Sequence, residues 1–278
     1  MNRPVSDPGL RLDSRSCDLR ALIVRALIGG NRGHLGSSMS LVEILRVLFD
    51  DYLRFRPDEP GWAGRDRFIL SKGHGCLALY ALLADKGFIG HEALDSFCHS
   101  TGILGGHPDA TKVPGVEAST GALGHGLPIA VGMALAGRIR RQHHRVVVVT
   151  GDGEINEGSN WEAAMSAANH RLDSLSVFID YNKLQSYGAT AEVCDLEPLA
   201  DKWRSFGFSV REVDGHNVAA LHSCVQALPF KPAKPSAVIC HTIKGKGFGF
   251  AEGQAGWHHK SRFSSEDIAR LHAALEQG

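Results

Sequence analysis

Two polar residues thirty positions apart, Asp152 and Asn182, each follow a run of β-branched and aromatic residues. The first run is Val146-Val147-Val148-Val149-Thr150-Gly151; the second is Val177-Phe178-Ile179-Asp180-Tyr181. Such runs read as buried parallel strands, and the residues just past two parallel strands share one edge of the sheet. A carboxylate from Asp152, an amide oxygen from Asn182 and a backbone carbonyl at Leu184 form a set of hard oxygen donors. That set suits Mg2+, which takes few protein ligands and completes its octahedron with water and phosphate oxygens. Gly151 and Gly153 flank Asp152 and let the backbone approach a bulky anion closely. The helical segment beyond them offers N–H groups and a positive dipole end to phosphate.

Three histidines each sit beside a glycine: Gly33-His34, Gly73-His74-Gly75 and Gly106-His107-Pro108. Glycine lets the chain turn sharply and leaves the neighbouring ring reachable, and a random core does not yield this pattern three times. Imidazole is the usual group for moving protons near neutral pH. His143-His144, which precede the first run without a glycine, read as a solvated loop.

These residues need elements to hold them. Glu157 to Met165, rich in alanine, reads as a helix between the two runs, giving a strand–loop–helix–strand unit with a right-handed crossover. Residues 1–16 are polar, carry two prolines and read as a loose arm. Cys17 to Ile28 reads as a helix ended by Gly29-Gly30. Ser40 reads as the cap of a helix with Leu41, Ile44, Leu45 and Leu48 on its inner face. A strand at 67–71, a helix through Leu77 and Leu83, and an alanine- and glycine-rich helix to Arg138 follow. Beyond the central unit come a helix at 199–206, a strand at 209–213, a helix carrying Val218, Leu221, Val225 and Leu228, and a strand at 236–242. Ser264-Ser265-Glu266-Asp267 is a capping box for the last helix. The expected fold is α/β: one mostly parallel sheet, helices on both faces, and ligands at the carboxyl edge. The expected division is the arm at 1–16 and a single domain at 17–278.

The chain has 278 residues, 43% of them hydrophobic, enough for one sizeable core. Thirty basic and thirty acidic residues cancel, so no nucleic acid or membrane surface is expected as partner. Six cysteines without a C-x-x-C pair read as reduced and cytoplasmic. With no export signal and no apolar run near twenty residues, neither secretion nor a membrane span is expected.

Gly151-Asp152-Gly153 followed thirty residues on by Asn182 resembles the thiamine diphosphate fingerprint, and the match is nearest to transketolases. It extends from about residue 17 to 268. The resemblance covers only the diphosphate-binding domain, so the chain resembles the N-terminal subunit of a split transketolase. It implies thiamine diphosphate and Mg2+ as cofactors, with Asp152, Asn182 and the Leu184 carbonyl on the metal. Gly121 and Leu123, in the turn Thr120-Gly121-Ala122-Leu123-Gly124, would line the cofactor, as would Gly151, Gly153 and Glu154. Lys244 belongs to a closing Lys244-Gly245-Lys246-Gly247, which lacks the spacing of a nucleotide-binding phosphate loop. Glu157 matches a glutamate that pairs across a dimer interface. His34, His74 and His107 would face the reaction centre, with His258 approaching the cofactor. The implied activity is transfer of a two-carbon ketol group from a ketose, or its phosphate, to an aldehyde. The implied partner is a pyrimidine-domain subunit that completes the site, two copies of each around a twofold axis.

The chain departs from the family where Gln185-Ser186-Tyr187-Gly188 stands for Gln-x-Asp-Gly, and where Ala255 stands for the first of two histidines. Other thiamine diphosphate enzymes remain as alternatives, a deoxyxylulose-phosphate synthase half or the α chain of a 2-oxoacid dehydrogenase, as does a non-catalytic α/β binding module. His74 and His107 together favour a sugar substrate.

Overall fold

The computed structural model describes residues 12–186 and 188–277. Five strands form the sheet: β1 (Arg67–Leu70), β2 (Val146–Gly151), β3 (Leu175–Tyr181), β4 (Ser209–Asp214) and β5 (Ser236–His241), in the order β1-β2-β3-β5-β4. Every ladder in it is parallel. The helices are α1 (Ser14–Gly30), α2 (Leu35–Met39), α3 (Val42–Val47), α4 (Cys76–Asp85), α5 (Gly126–Ile139), α6 (Gly158–Asn169), α7 (Thr190–Val193), α8 (Leu199–Ser205), α9 (Val218–Gln226) and α10 (Ser265–Gln277).

Side chains alternate along a strand, and here both faces are covered. Val147, Val149, Phe178, Val238 and Cys240 enter one core with α1 to α4, α9 and α10. Val146, Val148, Val177, Ile179 and Ile239 enter the other with α5, α6 and α8. Burial on both sides is why β2 and β3 are apolar without a polar alternation. Gly151 pairs with Asp180, and His241 pairs with both Tyr181 and Asp214. The strands therefore end nearly flush, and the segments starting at Asp152, Asn182 and Thr242 all leave from one edge.

Several expectations change in detail. The arm is shorter than expected: Asp13 caps α1, its carboxylate accepting from the Ser16 N–H at 2.9 Å. Arg15 then bridges Asp50 and Asp85, so residues 13–16 are part of the fold, whereas 1–11 lie outside the described residues. Gly29 and Gly30 do not end α1; Asn31 does, with φ 49°. A Cβ on Gly29 would lie 2.5 Å from the Asp95 carbonyl oxygen, and one on Gly30 2.5 Å from Phe97, so these glycines serve close packing. Ser40 lies between α2 and α3 and sends its hydroxyl to Asp180 at 2.7 Å instead of capping. His143 is exposed as expected, but His144 is 8% exposed, packed on Gly137. A short 3-10 turn, Gly153–Asn156, separates Asp152 from α6, so the α-helix does not start at the Gly-Asp-Gly. The last capping box forms with Asp267: it accepts from the Ser264 N–H at 3.0 Å and donates its own N–H to the Ser264 hydroxyl at 3.1 Å. Among the described residues no helix is long and apolar enough to cross a membrane.

Candidate active site

The oxygen donors stand together at the β2–β3 edge. Asp152 is 3% exposed. Its carboxylate accepts from the Gly153 N–H at 2.8 Å and the Lys183 N–H at 2.6 Å. Burial pushes its pKa up to about 6, and the charge of Asp180 pushes the same way. The Asn182 amide nitrogen donates to Asp180 at 3.2 Å, which leaves its oxygen free to accept from the Leu184 N–H at 3.1 Å. The Leu184 carbonyl accepts from the Lys244 ammonium at 2.9 Å. Lys244 is itself buried, and burial followed by repulsion from Lys72 lowers its pKa to about 8.

Asp180 organises this edge. It is fully buried and accepts from Lys72 Nζ, Thr242 Oγ1, Ser40 Oγ and Asn182 Nδ2. Burial alone would raise its pKa, but the Lys72 ammonium and the hydrogen bonds from Lys72, Thr242 and Ser40 together hold it below the usual value. Glu154 has a comparable role beside β2. Its carboxylate accepts from Ser71 Oγ, the Gly124 N–H and the Gly151 N–H. Those three donors occupy the side chain, so what Glu154 offers a ligand must come from its backbone.

The histidines form one cluster. The ring of His34 lies 5.6 Å from His74, 6.3 Å from His107, 5.4 Å from His258 and 4.4 Å from His259, centroid to centroid. His74 and His258 are 5.5 Å apart. His34 immediately precedes α2, after Gly33 with φ 143°. Gly33 and Lys260 exchange backbone hydrogen bonds of 2.9 and 3.0 Å, and this bridge brings His258 and His259 to the cluster. His74 sits in the tight turn between β1 and α4. The ring of His107 covers Gly121, where φ is 134° and a Cβ would lie 2.9 Å from the imidazole. Burial, then the neighbouring charges, lowers the pKa of His34 to about 3 and of His258 to about 4. Burial lowers His74 and His107 as well. At neutral pH these four rings are uncharged, each with one donor and one acceptor nitrogen.

Backbone ties set the Gly121 turn against both halves. Thr120 Oγ1 donates to the Leu70 carbonyl at 2.8 Å, and the Gly126 N–H donates to Ser71 Oγ at 3.1 Å. Leu123 is half-buried in that turn. Glu157 is exposed just before α6, its side chain making no cap hydrogen bond. A cavity of about 510 Å3 opens beside the rings, lined by His34, His107, His259, Arg32 and Cys98 among others. Three polar atoms at the site are buried without a partner: Gln185 Nε2, His258 Nδ1 and Ser37 Oγ.

The structure thus gathers Asp152, Asn182, Leu184 and Lys244 into one group, and His34, His74, His107 and His258 into another. Tyr187, the position that departs from the family pattern, lies outside the described residues. The sequence reading missed His259, Lys72 and Asp180. The last two had a signal: a lysine straight after one buried strand and an aspartate inside another can only be tolerated as a pair.

The chain matches the family model described as "Transketolase, thiamine diphosphate binding domain" over residues 14–277. It is 42% identical to a 6-deoxy-6-sulfo-D-fructose transketolase subunit of Clostridium sp. (strain MSTE9), covering 92% of this chain and 93% of that one. It is 42% identical to an apulose-4-phosphate transketolase subunit of Phocaeicola vulgatus, covering 89% and 88%. Among solved structures, transketolase from Leishmania mexicana superposes with a TM-score of 0.87 at 30% identity, covering 96% of this chain and 42% of that one. The chain therefore spans less than half of such a full-length transketolase, and nearly all of the subunits. It belongs to the transketolase family, as its thiamine diphosphate binding domain.

The residues present fit that cofactor and a divalent metal. Among the described residues no group of three or more His, Cys, Asp or Glu could hold a metal, so a zinc-type site is not what this edge offers. Instead it presents one carboxylate, one amide oxygen and one carbonyl, with an ammonium on the carbonyl. Hard oxygen donors with few protein ligands match Mg2+ and diphosphate together.

Proposed function

We propose that this family member is one subunit of a two-chain transketolase, transferring a two-carbon ketol group from a ketose, free or phosphorylated, to an aldehyde. The observation that carries the reading is the meeting, at one sheet edge, of the oxygen-donor set with a cluster of neutral imidazoles, of which His34, His74 and His258 are half-buried. Asp152, Asn182 and the Leu184 carbonyl would hold the metal, and Gly121, Leu123, Gly151, Gly153 and the Glu154 backbone would line the cofactor. Lys244, whose ammonium reaches the Leu184 carbonyl, would meet the diphosphate. Thiamine diphosphate, when bound, supplies the nucleophilic carbon and the electron sink for breaking the ketose carbon–carbon bond.

The chain's own residues do the rest. His34, His74, His107 and His258 hydrogen-bond sugar hydroxyls and move protons to and from them. Their lowered pKa values keep them uncharged at neutral pH, so each ring offers a hydroxyl one N–H donor and one acceptor nitrogen. The Gly121 turn and the segment after Gly33 flank the site.

We further propose that residues 17–278, with α1 extending the unit to Ser14, act as one diphosphate-binding domain. A second polypeptide then supplies the carboxylate that holds the aminopyrimidine. On α5, Ile129 and Ile139 are exposed, and on α6, which Glu157 precedes, Met165 is 54% exposed. These apolar residues favour a twofold contact between copies, with Glu157 at its centre, and an assembly of two copies of each chain. We place it in the cytoplasm, where its six unpaired cysteines stay reduced. The test is to purify this chain and its partner separately, assay ketol transfer, then mix them. Activity only on mixing is the expected result, and full activity from this chain alone would overturn the two-chain reading.

A further inference from the structure

We infer that Tyr80 and Cys76 are positioning residues for His107: they grip the backbone of its loop so that its ring meets the same substrate as His74. The inference rests on the transketolase reading and adds two residues to the machinery of that site. His107 lies in a stretch, residues 104–109, that contains no helix or strand. Its ring is exposed, and among the described residues no hydrogen bond holds it. Close packing does not fix the two glycines before it either, since a Cβ on Gly105 or Gly106 would meet nothing nearer than 3.5 Å. Beyond the contact with Gly121, the place of the ring must come from what holds the loop's backbone.

Every carbonyl from Leu104 to Pro108 has a donor. The Leu104 carbonyl accepts from the Cys98 N–H at 2.8 Å, and the Pro108 carbonyl from the Thr120 N–H at 3.1 Å. The three between them are taken by two side chains of α4. The Cys76 thiol donates to the Gly106 carbonyl at 3.2 Å. The Tyr80 hydroxyl lies 3.0 Å from the Gly105 carbonyl and 2.9 Å from the His107 carbonyl, and shares its one proton between them. Residues four apart on a helix face the same way, and Cys76 and Tyr80 are 1% and 0% exposed. Burial raises the pKa of both, so at neutral pH both keep their protons and stay donors. The same stretch, Gly105, Gly106 and His107, lines the 510 Å3 cavity.

Helix α4 thereby links two histidines. His74 stands two residues before its first residue, Cys76, and the loop of His107 hangs from its first turn. A helix keeps that spacing where two loops would not. A misplacement of about 1 Å in a group that acts on the substrate can cost about 10²-fold in rate. Neither Cys76 nor Tyr80 lines the cavity, so what they do for turnover passes through the ring they place.

The test is a double-mutant cycle in the reconstituted two-subunit enzyme, with rates divided by the thiamine diphosphate bound, measured by calorimetry. Tyr80→Phe keeps the ring in the core and removes only the hydroxyl. It should lower kcat about 10- to 100-fold with cofactor affinity nearly unchanged. In the His107→Ala background the same change should add nothing, because the group it places is gone. A loss by the same factor in both backgrounds, or a wild-type rate in Tyr80→Phe alone, would overturn the inference and leave the transketolase reading standing. If Tyr80→Phe does not fold, Cys76→Ala is put through the same cycle and judged by the same two results. If the wild type shows no ketol transfer at all, the transketolase reading fails, and the inference is decided by NMR on this chain. The His107 imidazole resonance, identified by its loss in His107→Ala, should shift and broaden in Tyr80→Phe while that of His258 stays in place. An unchanged His107 resonance rejects it.

Discussion

Replacing Asp180 with asparagine tests the logic of the whole strand edge. Asp180 is 0% exposed and Lys72 is 1% exposed. An ion pair at the surface is worth about 0–1 kcal/mol, but removing one member of a buried pair costs about 3–5 kcal/mol because the other charge is left stranded. In Asp180→Asn the Lys72 ammonium loses its counter-charge and keeps only neutral acceptors, the Ser37 carbonyl at 3.4 Å and the amide oxygen. The expected loss in unfolding free energy is therefore about 3–5 kcal/mol, read by urea denaturation. A second effect is local. The Asn182 amide no longer has a carboxylate to fix its nitrogen inward, and one lost hydrogen bond to a charged group, about 1.5–3 kcal/mol, corresponds to a roughly 10- to 100-fold weaker Mg2+-dependent cofactor affinity. Calorimetry measures that separately. The double variant Lys72→Met with Asp180→Asn removes the stranded charge and should recover most of the stability. It should recover none of the affinity. A single variant within about 1 kcal/mol of wild type, or a double variant no more stable than the single one, would refute the reasoning.

Asp152→Asn should remove most Mg2+-dependent binding of thiamine diphosphate, since the remaining oxygen donors are neutral; unchanged calorimetric affinity would rule out the metal assignment. His74→Ala and His107→Ala should each lower turnover of the reconstituted enzyme by about 10²- to 10⁴-fold with a much smaller change in cofactor affinity. Wild-type rates in both would make them structural loop residues. Stability should fall as pH drops from about 6.5 towards 4. His34 and His258 take up protons near 6.5 when unfolded but near 3 and 4 when folded, so the unfolded chain binds more protons in that window. His74 and His107, also lowered, add to this, while Asp152, raised to about 6, and Glu154, also raised, oppose it. A urea midpoint that is flat or higher at pH 4.5 than at pH 7 contradicts the balance.

Much of this was legible in the sequence because it depends on local pattern. The valine run and its partner had to be buried strands, and their polar ends had to share an edge. The glycines beside His34, His74 and His107 marked rings left open. What depends on contacts between distant segments was not legible. Gly29-Gly30 has the composition of a helix end, and only the approach of Asp95 and Phe97 explains why the helix runs through it. Ser40 has the form of a cap, yet its hydroxyl is drawn to Asp180, 140 positions away. Asp180 itself reads as the polar end of a strand until Lys72, Ser40 and Thr242 are seen around it. His259 carried no local signal, since its place beside His34 follows from the Lys260 bridge.

That bridge has a bearing on how the molecule acquires its chemistry. Gly33 meets Lys260, and the Asn31 side chain accepts from the Phe263 N–H across 232 positions of chain. The entropy of closing so long a loop grows only with the logarithm of its length, so the folded state tolerates it. Folding rate is less forgiving, because contacts of large sequence separation form late. The sheet and its first helices can assemble while the imidazole cluster still lacks two members. The complete imidazole cluster therefore depends on closing this long loop, and detachment of the Lys260 segment would take His258 and His259 from it.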